Sequence, residues 1–246
     1  MIRYGLKLWS NNVGIFADAR AAHAKGAFDF IELYYNPDVP VSEADTMLLK
    51  GVPVTIHATH TDNFHKFILN EKELLIWREI VALADFLGSH AIIVHPGRAH
   101  TMESFRKNLA LIDDPRILIE NMATFDMQEY PMFATTLDDL GKIRTVKPMC
   151  LDFEKAVKAA RYLNIDYKKY IEDALKKLQP KYFHISGGDP ETAIDEHRDL
   201  AGCGIDFKWV KEKILEIPGE IDLVFETPKK DGIKNDLQNM AYFRSL

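Results

Sequence analysis

Eight short apolar runs, each followed by a longer stretch with helical spacing, constrain this chain more than any other feature. The runs cover residues 3–9, 28–34, 53–58, 91–95, 116–121, 148–152, 181–186 and 222–227. Several are rich in Ile, Val, Phe and Leu without polar alternation, the pattern of strands buried on both faces of a parallel sheet. Between them the spacing predicts amphipathic helices. The clearest is 71–87, where Leu74, Leu75, Ile80, Val81, Leu83, Ala84 and Leu87 recur near helical period. Others are predicted over 14–25, 43–50, 102–112, 137–144, 207–215 and 232–243, and 154–178 should hold two helices broken around 164–166. Eight strand–helix units in 246 residues match a (β/α)8 barrel of the α/β class, a TIM barrel, which runs to about 250 residues. A doubly wound open sheet is the rival, but Ser10-Asn11-Asn12-Val13-Gly14 after the first run lacks the glycine spacing of a dinucleotide-binding turn. No repeat, low-complexity tract or Pro/Gly-rich linker divides residues 1–246, so a single domain is expected.

Composition removes several function classes. With 47% hydrophobic and 28% charged residues the chain is neither disordered nor fibrous. Cys150 and Cys203 are too few for a disulfide scaffold or a cysteine-based zinc module, and they suit a reducing compartment. No apolar run approaches the roughly 20 residues of a membrane span. The N-terminus has no long apolar segment of a secretion signal, so a cytoplasmic location is expected. The net charge of −6 weighs only weakly against a nucleic-acid partner, because local patches matter more than the sum.

In a barrel the chemistry sits where strands end. The third to eighth runs end in His57, His95, Glu120, Asp152, His184 and Glu226, and the loop after the seventh carries Asp195-Glu196-His197. One such residue is usually a hydrogen-bonded structural group; six in succession are not. Carboxylates crowded in one barrel mouth repel one another unless a cation compensates. Imidazole with carboxylate suits zinc, manganese, iron or cobalt. A divalent-metal centre is therefore expected, with more than one ion.

The ordered set HATH, VHPG, IEN, LDF, FHI, DEH and FETP, each at a strand end or in the loop after it, resembles the xylose isomerase-like TIM-barrel superfamily along the whole chain. That superfamily contains sugar isomerases and epimerases as well as endonuclease IV enzymes acting on abasic DNA. The epimerase resemblance implies one divalent ion, often manganese or cobalt, on Glu120, Asp152, His184 and Glu226. The two glutamates would exchange protons with a carbohydrate substrate through an enediolate. The endonuclease resemblance adds His57, His95, Asp195 and His197 and implies a three-zinc phosphodiesterase, so one to three ions per chain are in view.

The endonuclease pattern expects a histidine three residues after Asp152, where this chain has Lys155. A charged lysine cannot be a ligand, but it can meet a substrate phosphate or carboxylate. His60 and Thr61 stand where that branch carries an aromatic and an apolar residue, and no Arg/Lys stripe with interleaved aromatics offers a duplex-binding surface. A sugar or sugar-phosphate isomerase is thus the first reading and the endonuclease the second, with another metal-dependent reaction such as dehydration, or no catalysis, as the remainder. Arg98, His60 and Trp9 are further substrate-binding candidates, and Tyr34 and Phe125 further stacking surfaces. Residues 122–136 form the longest loop at this face and are expected to act as a lid. His23, His90 and His100 receive no role. A homo-oligomer is compatible with such a barrel.

Overall fold

The structure, a computed structural model, describes residues 1–98 and 101–246. Eight parallel strands close on themselves in chain order. They are β1 (Ile2–Trp9), β2 (Phe30–Tyr34), β3 (Val54–His57), β4 (Ile92–Val94), β5 (Ile117–Glu120), β6 (Met149–Asp152), β7 (Tyr182–Ile185) and β8 (Ile221–Phe225). Closure is made by β8 against β1, with Leu6 opposite Phe225. Around them run α1 (Phe16–Ala24), α2 (Glu43–Met47), α3 (Glu71–Phe86), α4 (Met102–Leu109), α5 (Leu137–Arg144), α6 (Phe153–Tyr162), α7 (Tyr167–Leu178), α8 (Phe207–Leu215) and α9 (Lys234–Ser245). The TIM barrel read from the sequence is therefore present. No helix among the described residues is long and apolar enough to cross a membrane.

The details differ where local chemistry intervenes. The helix expected from residue 14 begins as a 3-10 segment, Ser10–Ile15, and turns α-helical only at Phe16. The 43–50 helix stops at Met47. A short 3-10 turn, Asp62–Lys66, was not foreseen after β3. The break between α6 and α7 falls where expected, with Asn164 at φ 54°, a left-handed turn that asparagine tolerates.

Two apolar layers result. The larger lies between strands and helices and takes one alternate set of strand residues, including Leu6, Leu8, Ile31, Leu33, Ile56, Ile92, Ile117, Leu151 and Phe183. The smaller plugs the barrel interior with Phe30, Ala91, Ile93, Cys150, Tyr182 and Val224, backed by Leu118. This dry plug is the floor on which the polar strand ends stand.

Gly5 shows how tightly the plug is filled. A Cβ there would lie 2.5 Å from Phe30 Cζ and 2.9 Å from Val224 Cγ2. Gly5→Ala is expected to destabilise the chain by about 1–3 kcal/mol through overpacking, read as a lowered denaturant midpoint. An unchanged midpoint would show that the plug has slack.

Candidate metal centre

Above the plug, every strand sends one polar side chain inward at or near its C-terminal end: Lys7, Glu32, His57, His95, Glu120, Asp152, His184 and Glu226. Six of these were legible at the strand ends. Lys7 and Glu32 were not among the candidates, because the last residues of the first two strands are Trp9 and Tyr34. Both missed residues lie two positions earlier, on the same face and one layer deeper. They are paired in register, Lys7 opposite Glu32. The signal was there: Lys7 and Glu32 are charges deep inside their runs, well past Arg3 and Asp29 at the run starts.

The charges interlock. Lys7 Nζ lies 2.6 Å from Glu32 Oε1 and 2.5 Å from Glu226 Oε1. Lys155 Nζ lies 2.6 Å from Glu120 Oε1 and 3.8 Å from Asp152 Oδ2. His184 spans the middle, with Nε2 2.9 Å from Glu32 Oε2 and Nδ1 2.9 Å from Glu120 Oε1. Asp152 caps α6 by accepting the Lys155 N–H at 2.8 Å through Oδ1, while its buried Oδ2 has no hydrogen-bond partner. Asn121 clamps Asp152 by accepting its N–H at 2.7 Å and donating to its carbonyl at 3.0 Å.

These contacts set the protonation states. Burial would raise the carboxyl of Glu32, but His184 and Lys7 outweigh it and hold the group at about 2. The same contest, won by Lys155 and His184 at Glu120 and by His184 and Lys7 at Glu226, keeps both well below the usual carboxylate range. For Asp152 burial wins over Lys155, with help from Glu120 and Glu226, and pushes it up to about 6. Burial pulls His57 and His60 down and takes His95 to about 4, so these imidazoles keep their lone pairs at neutral pH.

Whether the residues fit a metal can be judged from the donors. Ligand atoms of Glu120, Asp152, His184 and Glu226 all lie within 4.8 Å of one another. Asp152 Oδ2 is orphaned inside this group. His95 Nε2 sits 2.7 Å from Glu120 Oε2 without hydrogen-bond geometry. Buried acceptors that converge without a proton between them are costly unless a cation joins them. The mixed nitrogen and oxygen set fits a divalent ion.

A cavity of about 610 Å³ opens over this floor. Trp9, Tyr34, His57, His60, His95, Lys155, Asp195, His197 and Glu226 all reach it, so most of the residues expected from sequence are brought together. His60 stacks on His95 with ring centroids 4.9 Å apart and planes 5° from parallel. Lys155 is buried rather than solvated, and its ammonium is committed to Glu120. Asp195 Oδ1 and both ring nitrogens of His197 lack hydrogen-bond partners. Their loop is tied to α6 by Lys158, which donates to Asp189 O and Thr192 Oγ1, each at 2.7 Å, and to Glu196 Oε2 at 2.5 Å. Gly187 lets that loop cross itself, since a Cβ there would lie 1.9 Å from Asp199 O.

Glu120, Asp152 and His184 lie wholly buried beneath the cavity without lining it, and two further candidates sit elsewhere. Phe125 packs edge-on against Tyr162, with centroids 5.4 Å apart, and does not line the cavity. Arg98 does not line it either. Its guanidinium contacts Asp126 Oδ2 at 2.7 Å and lies 4.2 Å from the Tyr130 ring centroid, which fastens the 122–136 segment. From that segment Met122, Asp126, Met127, Gln128 and Met132 close over the cavity. His65, not singled out in the sequence, lines it as well. His23 and His90 contact Asp29 O and Asp222 outside this group, and His100 falls outside the described residues.

Residues 19–246 match the family described as xylose isomerase-like TIM barrel. The chain belongs to that family. Among solved structures it is similar to endonuclease IV from Thermus thermophilus, at TM-score 0.72 and 20% identity over 99% of this chain and 98% of the other. It is also similar to a D-tagatose 3-epimerase-like protein, at 0.70 and 18% over 99% and 97%. A third is a xylose isomerase-like TIM barrel protein from Mycobacterium smegmatis in complex with magnesium, at 0.62 and 14% over 99% and 95%. No curated protein matches the sequence. At these identities the likeness is one of fold, and family membership leaves isomerase and hydrolase chemistry both open.

If Arg98 is the latch of the 122–136 segment, Arg98→Met should speed proteolytic cleavage within it. Global stability should fall by about 1–3 kcal/mol, since Asp126 is buried and loses two charged contacts to its Oδ2, so cleavage is compared at equal fraction folded. Limited proteolysis followed by mass spectrometry reads this, and unchanged cleavage would reject the latch.

Proposed function

We propose that the chain is a divalent-metal-dependent sugar or sugar-phosphate isomerase or epimerase, with one ion held by Glu120, Asp152, His184 and Glu226. The observation that carries this reading is the buried charge balance. Glu32, Glu120, Asp152 and Glu226 are four buried carboxylates, and Lys7 and Lys155 supply two ammonium groups among them. His184, kept protonated by the carboxylates around it in spite of its burial, is a third positive group, but it must give up a proton to bind a metal. With that proton gone two negative charges are left over, the charge of a single divalent ion. Three such ions would leave the floor strongly positive, and Lys155 Nζ already stands beside Glu120 and Asp152.

A bound ion would supply Lewis-acid polarisation of a carbonyl and a neighbouring hydroxyl oxygen. The chain's own residues do the rest. Glu120 and Glu226 flank His184 and can serve as an acid/base pair. One, ionised, takes the proton from the carbon next to the carbonyl. The other, which must first have taken up a proton from solvent, gives that proton to the opposite face, and the two then exchange roles or protons with solvent before the next turnover. The intermediate between these steps is an enediolate. Trp9 and Tyr34 offer aromatic faces to a sugar ring, and His60 and Lys155 offer polar contacts at the wall. The methionine-bearing 122–136 segment excludes water from the reacting carbon. A cavity of about 610 Å³ falls in the range of small-molecule sites, about 300–1,000 Å³.

A second reading, an endonuclease IV-like zinc phosphodiesterase acting on abasic DNA, is favoured by one observation. His57, His95, Asp195 and His197 line the same cavity, and three of them carry orphaned donor or acceptor atoms.

Elemental mass spectrometry separates the two. About one ion per chain is expected, lost in Glu226→Gln and rising towards two in Lys155→His, which trades an ammonium for an imidazole. A panel of sugars and sugar phosphates in deuterated water should then show exchange of a carbon-bound hydrogen, abolished in Glu120→Gln. Two or three zinc ions in the unaltered chain, together with cleavage of an abasic-site oligonucleotide, would reverse the ranking. No bound ion after reconstitution would sink both.

A further inference from the structure

Glu32 is wholly buried, lies outside the ligand set proposed above, and yet touches its centre. Its two oxygens are surrounded by donors. Lys7 Nζ lies 2.6 Å from Oε1, while the Tyr182 hydroxyl at 2.7 Å and His184 Nε2 at 2.9 Å both meet Oε2. An ionised carboxylate has no proton to give, so His184 must donate through Nε2–H. When a metal displaces the proton that Nδ1 shares with Glu120, Nδ1 is left as the lone pair that binds it. Nδ1 lies 2.9 Å from Glu120 Oε1 and 3.4 Å from Glu226 Oε1, two further acceptors. A lone pair aimed at two carboxylate oxygens repels them, so either a proton on Nδ1 or a metal ion must stand between.

We propose that Glu32 is a positioning residue for the metal centre. It holds His184 in the Nε2–H tautomer so that Nδ1 faces the point shared by Glu120 and Glu226. Lys7 completes the device by tying Glu32 to Glu226, which places a ligand and the group that orients another ligand on one ammonium. The inference rests on the single-ion reading of the site and adds to it a residue from β2, a strand that supplies none of the four ligands. The general principle is that a metal-ligating histidine needs a partner on its other nitrogen, and that losing this partner weakens metal binding about 10–100-fold.

Glu32→Gln tests this with little change of shape. The amide oxygen is drawn to the Lys7 ammonium, which turns the NH2 group towards His184 Nε2. That nitrogen must then accept, and the proton moves to Nδ1, where a metal should be. Two readouts are needed, neither of them turnover. The first is the His184 tautomer, from two-bond nitrogen–proton couplings in the 15N-labelled, zinc-loaded chain. The second is zinc affinity by competition with a chromophoric chelator.

The unaltered chain should show the proton on Nε2 with Nδ1 shifted by the metal. Glu32→Gln should bind zinc about 10–100-fold more weakly and show the Nδ1–H form when metal-free. Tyr182→Phe, which removes a donor from the same carboxylate and keeps the ring that stands edge-on to His184 at 5.8 Å, should retain affinity and tautomer. A proton on Nδ1 in the unaltered zinc-loaded chain overturns the inference even if Glu32→Gln fails to fold. So does unchanged affinity in Glu32→Gln, or an equal loss in Tyr182→Phe, which would mark a general loosening of the floor. If the unaltered chain takes up no zinc, manganese or cobalt, the metal reading itself falls and the inference with it. That outcome is distinct from a chain that binds metal but ignores Glu32.

Discussion

Four carboxylates gathered on an apolar barrel floor are the constraint on which the rest of the structure depends. Phe30, Ile93, Cys150, Tyr182 and Val224 dry the space beneath them. Each charge is therefore held at a cost that only another charge can offset. Lys7 and Lys155 come from opposite sides of the ring, one from β1 and one from the first turn of α6, and each bridges or nears two of the acids. What they leave uncompensated defines the chemistry the floor can accept. An arrangement of this kind is a poor source of stability, since an apolar replacement of equal volume is often no worse. Its value lies in fixing where a cation can sit.

The fold was legible because a barrel writes itself twice into sequence. Strands buried on both faces give unbroken apolar runs, and the helices covering them give a period near 3.6 residues. Run ends carried most of the site for a related reason. A charged group inside a closed barrel is tolerated only at the mouth, so His57, His95, Glu120, Asp152, His184 and Glu226 stood out against their runs. The same rule hid Lys7 and Glu32. In β1 and β2 the strand continues one residue pair beyond the charge, and reading only the last residue selected Trp9 and Tyr34. Period-two alternation, applied from the end inwards, would have reached them.

Side-chain roles on the loops were harder to read, for a physical reason. Arg98 follows a strand end and could meet an anion, but whether it does is decided by Asp126 and Tyr130, 28 and 32 residues further on. Lys155 reads as a solvated first-turn residue of a helix until the barrel closes and places Glu120 beside it. Phe125 is likewise claimed by Tyr162. Such assignments depend on contacts distant in sequence, which periodicity cannot carry.

The backbone of Phe125 joins the two loops that roof the cavity. Its N–H donates to Ala193 O at 3.4 Å, and its carbonyl accepts from Asp195 N–H at 3.3 Å. The 122–136 segment and the loop bearing Asp195 and His197 are thereby one mechanical piece. Lifting the first drags the second, so whatever clears a path to the floor also withdraws an imidazole and a carboxylate from the wall. An open barrel is in that sense a half-assembled one. Closing the roof would then complete the wall, while the floor of Glu120, Asp152, His184 and Glu226 stays in place on its strands.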